Sequence, residues 1–338
     1  MRTCLILNPC SGRNRRRPWL ASTLRAFAAG QGATLDAAVS VTEGPGHATL
    51  LAREAVEAGC ELVVSVGGDG TLNEVAQALV GTPATLGIVP CGSGNGLARH
   101  LGVPGSLPAA LELIAEGGAD VRRVGGRGEP RRVSLDVGEA NGLPFFNAMG
   151  FGLDAEVSRH FNAMTRRGLP AYVRTAFTVV RRMRRERISI LEAGTGRQTD
   201  LEVVLLVVAN SDQYGNNAFI APHARVDDGR LDLIAVEPCG LAGATSLALR
   251  LFLGSIDRAR NVRRMAGERF LIRRTAADII HTDGETRATD ATLEISVRPR
   301  SLRVLVPPAS RVRSPAAETA GAGMPAIAPA PGFSSSQP

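Results

Sequence analysis

The sequence predicts an α/β protein: an N-terminal domain built on a parallel sheet, then a β-rich, sandwich-like domain. Three observations carry that reading. In the first third of the chain, apolar runs of strand length alternate with amphipathic helical stretches. Two of those runs, Leu62–Val66 and Leu86–Pro90, break into glycine-rich turns that resume as helices. From about Val121 onward, strand-like runs follow one another closely, with polar or glycine-rich turns between them.

Taken in order, Arg2–Leu7 reads as the first strand. It ends in Asn8-Pro9-Cys10-Ser11-Gly12-Arg13, a cluster of turn formers at the strand end where open α/β sheets bind ligands. A helix is expected over Pro18–Gly30, a strand over Leu35–Val41, a loop over Thr42–His47 and a helix over Ala48–Ala58. Leu62–Val66 leads into Gly67-Gly68-Asp69-Gly70-Thr71-Leu72-Asn73-Glu74, whose helix runs to Val80. Glycines let a backbone approach a ligand closely, and successive amides at a helix N-terminus make an anion site. In isolation such a turn is equally a plain tight turn. The strand Leu86–Pro90 ends in a second one, Cys91-Gly92-Ser93-Gly94-Asn95-Gly96, and both should open on one edge of the sheet.

The glycine- and arginine-rich stretch Gly125–Pro130 marks a boundary between domains at 1–125 and 126–307. Strands are expected over Val133–Val137, Phe145–Ala148, Ile188–Glu192, Leu201–Ala209, Leu231–Val236, Thr292–Val297 and Leu302–Val306. Leu169–Arg187 reads as a helix with an arginine-rich surround that either lies in water or meets an anionic membrane surface. Residues 308–338, rich in Ala, Pro, Gly and Ser, read as a disordered tail.

All 39 Lys/Arg positions are arginine. That excludes a Walker lysine, a protein-kinase strand lysine and a Schiff-base amine. The formal charge of +7 suits anionic partners, but with 4% aromatic residues the arginine clusters lack the stacking platforms of a nucleic-acid binder. The five cysteines form no Cys-x-x-Cys pair and the five histidines no metal pattern, so reduced thiols and a cytoplasmic location are expected. No apolar run is long enough to span a bilayer.

Gly67–Glu74, followed by Pro90-Cys91-Gly92-Ser93-Gly94-Asn95-Gly96-Leu97-Ala98-Arg99, resembles the diacylglycerol kinase catalytic domain in its soluble bacterial lipid-kinase branch. The Gly-Ser-Gly-Asn segment is also similar to sphingosine kinases. Further matches follow at Asn147–Ala155, Asn210-Ser211, Tyr214-Gly215, Ala221–Asp232 and His281-Thr282-Asp283-Gly284-Glu285, so the resemblance runs from Asn8 to about Pro307.

The resemblance implies an NAD kinase/diacylglycerol kinase-like fold whose last strands return to the first domain. ATP and Mg2+ would be used, with nucleotide contacts at Asn8, Pro9, Ser11, Gly12, Thr42, Gly67, Gly68, Asp69, Gly70, Thr71, Asn73, Ser93 and Asn95. Asp69 is the natural carboxylate for Mg2+. A second, structural Mg2+ is carried onto Asp228 with carbonyls near Arg225 and Arg230, where an ordinary turn is the equal alternative. Glu285 is implied as the proton acceptor, with Asp283 as its helper or a water-mediated metal partner; a rival assignment gives the base to Asp69.

The expected activity is transfer of the ATP γ-phosphate to a hydroxyl of a diacylglycerol-like or sphingoid lipid. The enzyme would be cytoplasmic, visit the inner face of the membrane without spanning it, and leave a homodimer open. Three alternatives stand beside it: an NAD kinase-like enzyme; a non-catalytic nucleotide-binding regulator, kept open by the missing lysines although Arg13 can substitute for one; and a membrane-surface adaptor.

Overall fold

The computed structural model describes residues 1–32, 35–119, 130–152, 185–215 and 217–312. Most of the expected arginine-rich helix, residues 125–129 of the expected boundary and residues 313–338 lie outside them. Where that helix was expected to end, Glu186 and Arg187 instead begin a strand.

Four strands, β1 (Arg2–Leu7), β2 (Asp36–Val41), β3 (Leu62–Gly67) and β4 (Thr85–Pro90), pair in parallel in the order β2-β1-β3-β4. Helices α1 (Leu20–Gly30), α2 (His47–Glu57), α3 (Asp69–Leu79), α4 (Gly96–His100) and α5 (Leu107–Ala119) connect or follow them. β3 is buried along its whole length, which is why it reads as a continuous apolar run rather than an alternating one. Pairing of Leu7 with Val66 and of Gly67 with Pro90 brings the C-terminal ends of β1, β3 and β4 level. Their three loops therefore emerge side by side.

The second half forms a two-sheet sandwich from β5 (Arg131–Ala140), β6 (Leu143–Phe145), β7 (Ala148–Gly152), β8 (Glu186–Glu192), β9 (Arg197–Val203), β10 (Leu205–Ala209), β11 (Leu231–Val236), β12 (Val262–Gly267), β13 (Arg269–Arg274), β14 (Asp278–Thr282), β15 (Glu285–Thr289) and β16 (Thr292–Val306). One sheet is β12-β11-β10-β7-β14-β15; the others join the first domain's sheet through β4-β16-β13-β8-β9. The final strand is the splice. Its register on β5 shifts between Arg298 and Leu302, where Arg300 takes φ 50°. Before that kink it pairs with β13, and after it with β4. Beyond it, Val312 is buried in the N-terminal core and Arg131 donates to the Ser310 carbonyl, while Pro308, Ala309 and Arg311 are exposed.

Two expected strands are each divided. Leu201–Ala209 is β9 and β10, and at Val204 the chain crosses from one sheet to the other. Phe145–Ala148 spans the break between β6 and β7, leaving Phe146 and Asn147 outside both strands. The sandwich core lies between the sheets and includes Phe145, Phe151, Ile190, Leu206, Phe270 and Ile295. Helix α6 (Leu241–Phe252) supplies Leu247 and Leu251 to a further cluster with Val207, Ile234 and Val236.

Gly138 lies opposite Phe145 in the β5–β6 hairpin, and a Cβ there would sit 2.1 Å from the ring. Gly138→Ala should destabilise the protein by about 1–3 kcal/mol through overpacking. Gly105→Ala, where nothing lies within 4 Å, should change stability by less than about 0.5 kcal/mol. Urea unfolding of both variants checks the contrast.

Candidate active site

The loops after β1, β3 and β4 are bound to one another by backbone and side-chain hydrogen bonds, among them Arg13 N–H to the Cys91 carbonyl at 3.1 Å and Cys91 N–H to the Gly67 carbonyl at 2.7 Å. The Gly68 amide donates to Ser11 Oγ at 2.7 Å, and Asn8 Nδ2 donates to Thr71 Oγ1 at 3.0 Å. Gly12 has φ 46°, and a Cβ there would lie 2.6 Å from the Cys91 carbonyl oxygen. A Cβ on Gly92 would lie 2.7 Å from Gly68 Cα, and one on Gly94 would lie 2.7 Å from Asp69 Oδ2. These glycines are therefore required first by the approach of one turn to another. Gly70 has open space around it, as a ligand-facing position requires.

Asp69, in the first turn of α3, is the clasp. Its Oδ2 accepts the Asn95 amide at 2.7 Å and its Oδ1 the Gly96 amide at 2.8 Å. Burial pushes its carboxyl above the usual aspartate range, against the pull of those two amides and of Arg99. Asn95, at φ 52°, closes the second turn by exchanging hydrogen bonds with Gly92 N–H and C=O, both 3.0 Å. Arg99 Nε donates to the Gly94 carbonyl at 2.9 Å. Pro9, Gly12, Gly70 and Ser93 form the exposed rim. Thr42, Thr71 and Asn73 are buried, at 6%, 4% and 2% exposure, and Thr71 Oγ1 accepts the Asn8 bond.

The second domain reaches the same turns through the loop after β10. Tyr214 and Gly215 lie backbone to backbone against Gly96 and Gly94, with closest approaches of 3.2 and 3.0 Å for a Cβ built on Gly96 and on Gly215. His100 Nδ1 stands 2.8 Å from Asp212 Oδ1. Tyr214 in turn meets the His281 ring edge-on at 6.4 Å. Ser211 Oγ donates to Asn147 Oδ1 at 2.9 Å, and Asn210 Nδ2 donates to the carbonyls of Asp136 and Phe146 at 2.9 and 3.0 Å.

His281 begins the acidic motif. Thr282 pairs with Glu285, so Asp283-Gly284 is a two-residue hairpin turn, with φ 50° and 90° as a type I′ turn demands. The Asp283 carboxylate accepts three amides, Phe146 at 2.7 Å, Asn147 at 2.8 Å and Ala148 at 2.9 Å. These are the donors freed by the break between β6 and β7. These three contacts hold the hairpin turn against the break between β6 and β7. Glu285, 42% exposed, pairs with Arg287 at 3.1 Å.

Asp228 lies in the turn before β11, where its Oδ1 accepts the Arg230 amide at 3.1 Å. Arg225 is engaged with Asp227, and Arg230 with the Ala266 carbonyl. Asp136, 1% exposed, accepts Gly229 N at 2.6 Å and Arg300 N at 2.8 Å, tying this turn to the kink in β16. Sequence reasoning missed Asp136, and it missed the His100–Asp212 contact; neither lies in a motif, and only the fold reveals them. Burial raises the carboxyl pKa of Asp228, and the neighbouring Asp232 and Asp136 add to it. Among the described residues no three His, Cys, Asp or Glu side chains come together to hold a metal. A cation at either place would rest on one carboxylate, supplemented by backbone carbonyls, water or ligand oxygens, a donor set that fits Mg2+.

A parallel sheet spliced by its last strand into a β-sandwich defines the diacylglycerol-kinase-like fold class. A solved diacylglycerol kinase from Bacillus anthracis shares it, with a TM-score of 0.68 and 21% identity over 91% of this chain and 97% of that one. Residues 2–125 match the diacylglycerol kinase catalytic domain, and residues 147–306 the YegS C-terminal NAD kinase beta sandwich-like domain. The chain is 32% identical over 297 residues to a Pseudomonas aeruginosa protein named "Probable lipid kinase YegS-like", covering 84% of this chain and 89% of that protein. It is 29% identical over 246 residues to a Bacillus subtilis diacylglycerol kinase, covering 71% and 75%. The chain belongs to the diacylglycerol kinase catalytic-domain family, in its YegS-like bacterial branch.

Burial pushes the Asp283 carboxyl up to about 6, against its three amide donors. A folded-state value above the unfolded value of about 4 means the native protein binds the extra proton between those limits. The contribution of Asp283 is therefore fully present below pH ~4 and is lost as pH rises through about 6, by up to roughly 3 kcal/mol. Urea unfolding across that range should show wild type losing stability relative to Asp283→Asn as pH rises.

Proposed function

We propose that the protein is an ATP- and Mg2+-dependent lipid kinase that phosphorylates a hydroxyl of a diacylglycerol-like or sphingoid lipid. One observation carries the reading: Asp69 locks two glycine turns together at one sheet edge, and the 210–215 loop ties those turns to the Asp283–Glu285 hairpin. A phosphate-gripping element and a carboxylate are thus held in one framework although they lie far apart in sequence.

In this reading the exposed rim, with Gly70 at the N-terminal turn of α3, presents amides and hydroxyls to the nucleotide phosphates. Exposed Arg13 and Arg99 add positive charge where other phosphate sites use lysine. Mg2+, when bound with the nucleotide, offsets phosphate charge, and Asp69 retains lone pairs for it beyond those given to the amides. The acceptor hydroxyl attacks the γ-phosphorus as the bond to the ADP oxygen breaks, and its proton passes to Glu285. Arg287 holds the Glu285 side chain, and Asp283 fixes the hairpin on which it stands. Acceptor lipid would be met at a membrane surface.

Purified protein with labelled ATP and a panel of diacylglycerol, sphingosine, ceramide and phosphatidylglycerol tests the proposal. Label should appear in at least one lipid and require Mg2+. Transfer to NAD with none to any lipid would contradict it. Glu285→Gln should lower kcat by about 100- to 10,000-fold while leaving the affinity for ATP unchanged. Asp69→Ala should weaken ATP binding as well, because it opens the clasp between the turns.

A further inference from the structure

Helix α6 is apolar on two sides. Ala244, Leu247 and Leu251 pack inward, over the sandwich. At about 100° per residue, Leu241, Leu249 and the C-cap Leu253 fall within about 120° of one another on the opposite side. They are 48%, 53% and 67% exposed, three of the six large hydrophobic side chains exposed among the described residues. Single exposed leucines need no explanation, but a stripe of them on one helix does.

The charge along this stripe is uneven: Asp200, Glu202 and Glu237 line a cavity with Gly240 at the start of α6, and arginines follow its C-terminal end. α6 carries no acidic residue, and six and eight residues past its end come Arg258 and Arg260, both exposed and neither ion-paired among the described residues. The nearest acids in sequence are occupied: Asp257 lies 3.3 Å from His223, and Glu237 2.9 Å from Arg263. A symmetric contact with a second copy would bring like-charged Arg258 and Arg260 of two chains toward each other. An anionic lipid surface would neutralise them while burying the leucines.

We propose that the outer face of α6, with Arg258 and Arg260, is a docking surface for an anionic phospholipid bilayer. Leucines enter the acyl boundary and the guanidinium groups stay at headgroup level. The surface is mechanically continuous with the candidate site. The Phe219 amide donates to the Leu251 carbonyl at 2.9 Å, and the segment leading to Phe219 carries Tyr214 and Gly215, which lie against the second glycine turn. Docking here would set that turn at a fixed height above the bilayer. The inference stands on this surface alone and does not require the catalytic reading.

Sedimentation of the full chain with phosphatidylcholine vesicles, with and without phosphatidylglycerol, tests it in the absence of ATP. Wild type should bind the anionic vesicles about tenfold or more tightly, and added salt should weaken binding. The triple variant Leu241→Ser/Leu249→Ser/Leu253→Ser and the double variant Arg258→Gln/Arg260→Gln should each lose about tenfold. Both should keep the wild-type melting temperature, because the altered side chains are exposed. Three results would overturn the inference: no preference of wild type for anionic vesicles, a triple-serine variant that binds like wild type, or a wild-type dimer that the triple-serine variant dissociates. Since no phosphoryl transfer is read, loss of vesicle binding and loss of kinase activity are separately visible.

Discussion

The two hydrogen bonds of the Asp69 carboxylate organise the molecule. One side chain from the first glycine turn satisfies the Asn95 and Gly96 amides of the second, at 2.7 and 2.8 Å. A charged acceptor on a backbone amide is among the stronger hydrogen bonds a protein makes, and leaving a partly buried amide unpaired is costly. With the clasp closed, the turns approach so tightly that Gly68 and Gly92 have no room for a side chain between them. The loop after β1 then rests on both turns through Ser11 and Gly12. Three loops thus become one rigid rim.

The same device recurs in the second domain. Asp283 collects the amides of Phe146, Asn147 and Ala148, and Asp136 collects those of Gly229 and Arg300. Each carboxylate fastens backbone where a strand breaks, kinks or turns. The loop at 210–215 touches both the second glycine turn and His281, and so links the glycine turns to the hairpin that carries Glu285. The β16 splice makes this link credible mechanically, since one strand is shared by both domains.

Much of this was legible in the residues. The strands of the first domain were recognisable because each is a buried apolar run closed by turn formers, and Asp-Gly before Glu285 is a strong hairpin signal. What escaped was what depends on pairing at a distance. Nothing local says that Leu201–Ala209 changes sheets at Val204, or that Phe146 and Asn147 leave the ladder to serve Asp283. Nor does anything local say that Thr71 and Asn73 are buried, or that Asn8 donates to Thr71. Glycine motifs advertise an open backbone; only the fold reveals that several of these glycines are there to admit another turn.

In the proposed function the rim held by Asp69 binds the nucleotide phosphates. Glycine-selective 15N labelling with an MgATP titration addresses it most directly. The amide signals of Gly68, Gly70 and Gly94 should move together and saturate at one affinity, while Gly142 and Gly196, in the β5–β6 and β8–β9 hairpins, stay in place. Saturable binding that leaves those three amides unmoved would contradict it.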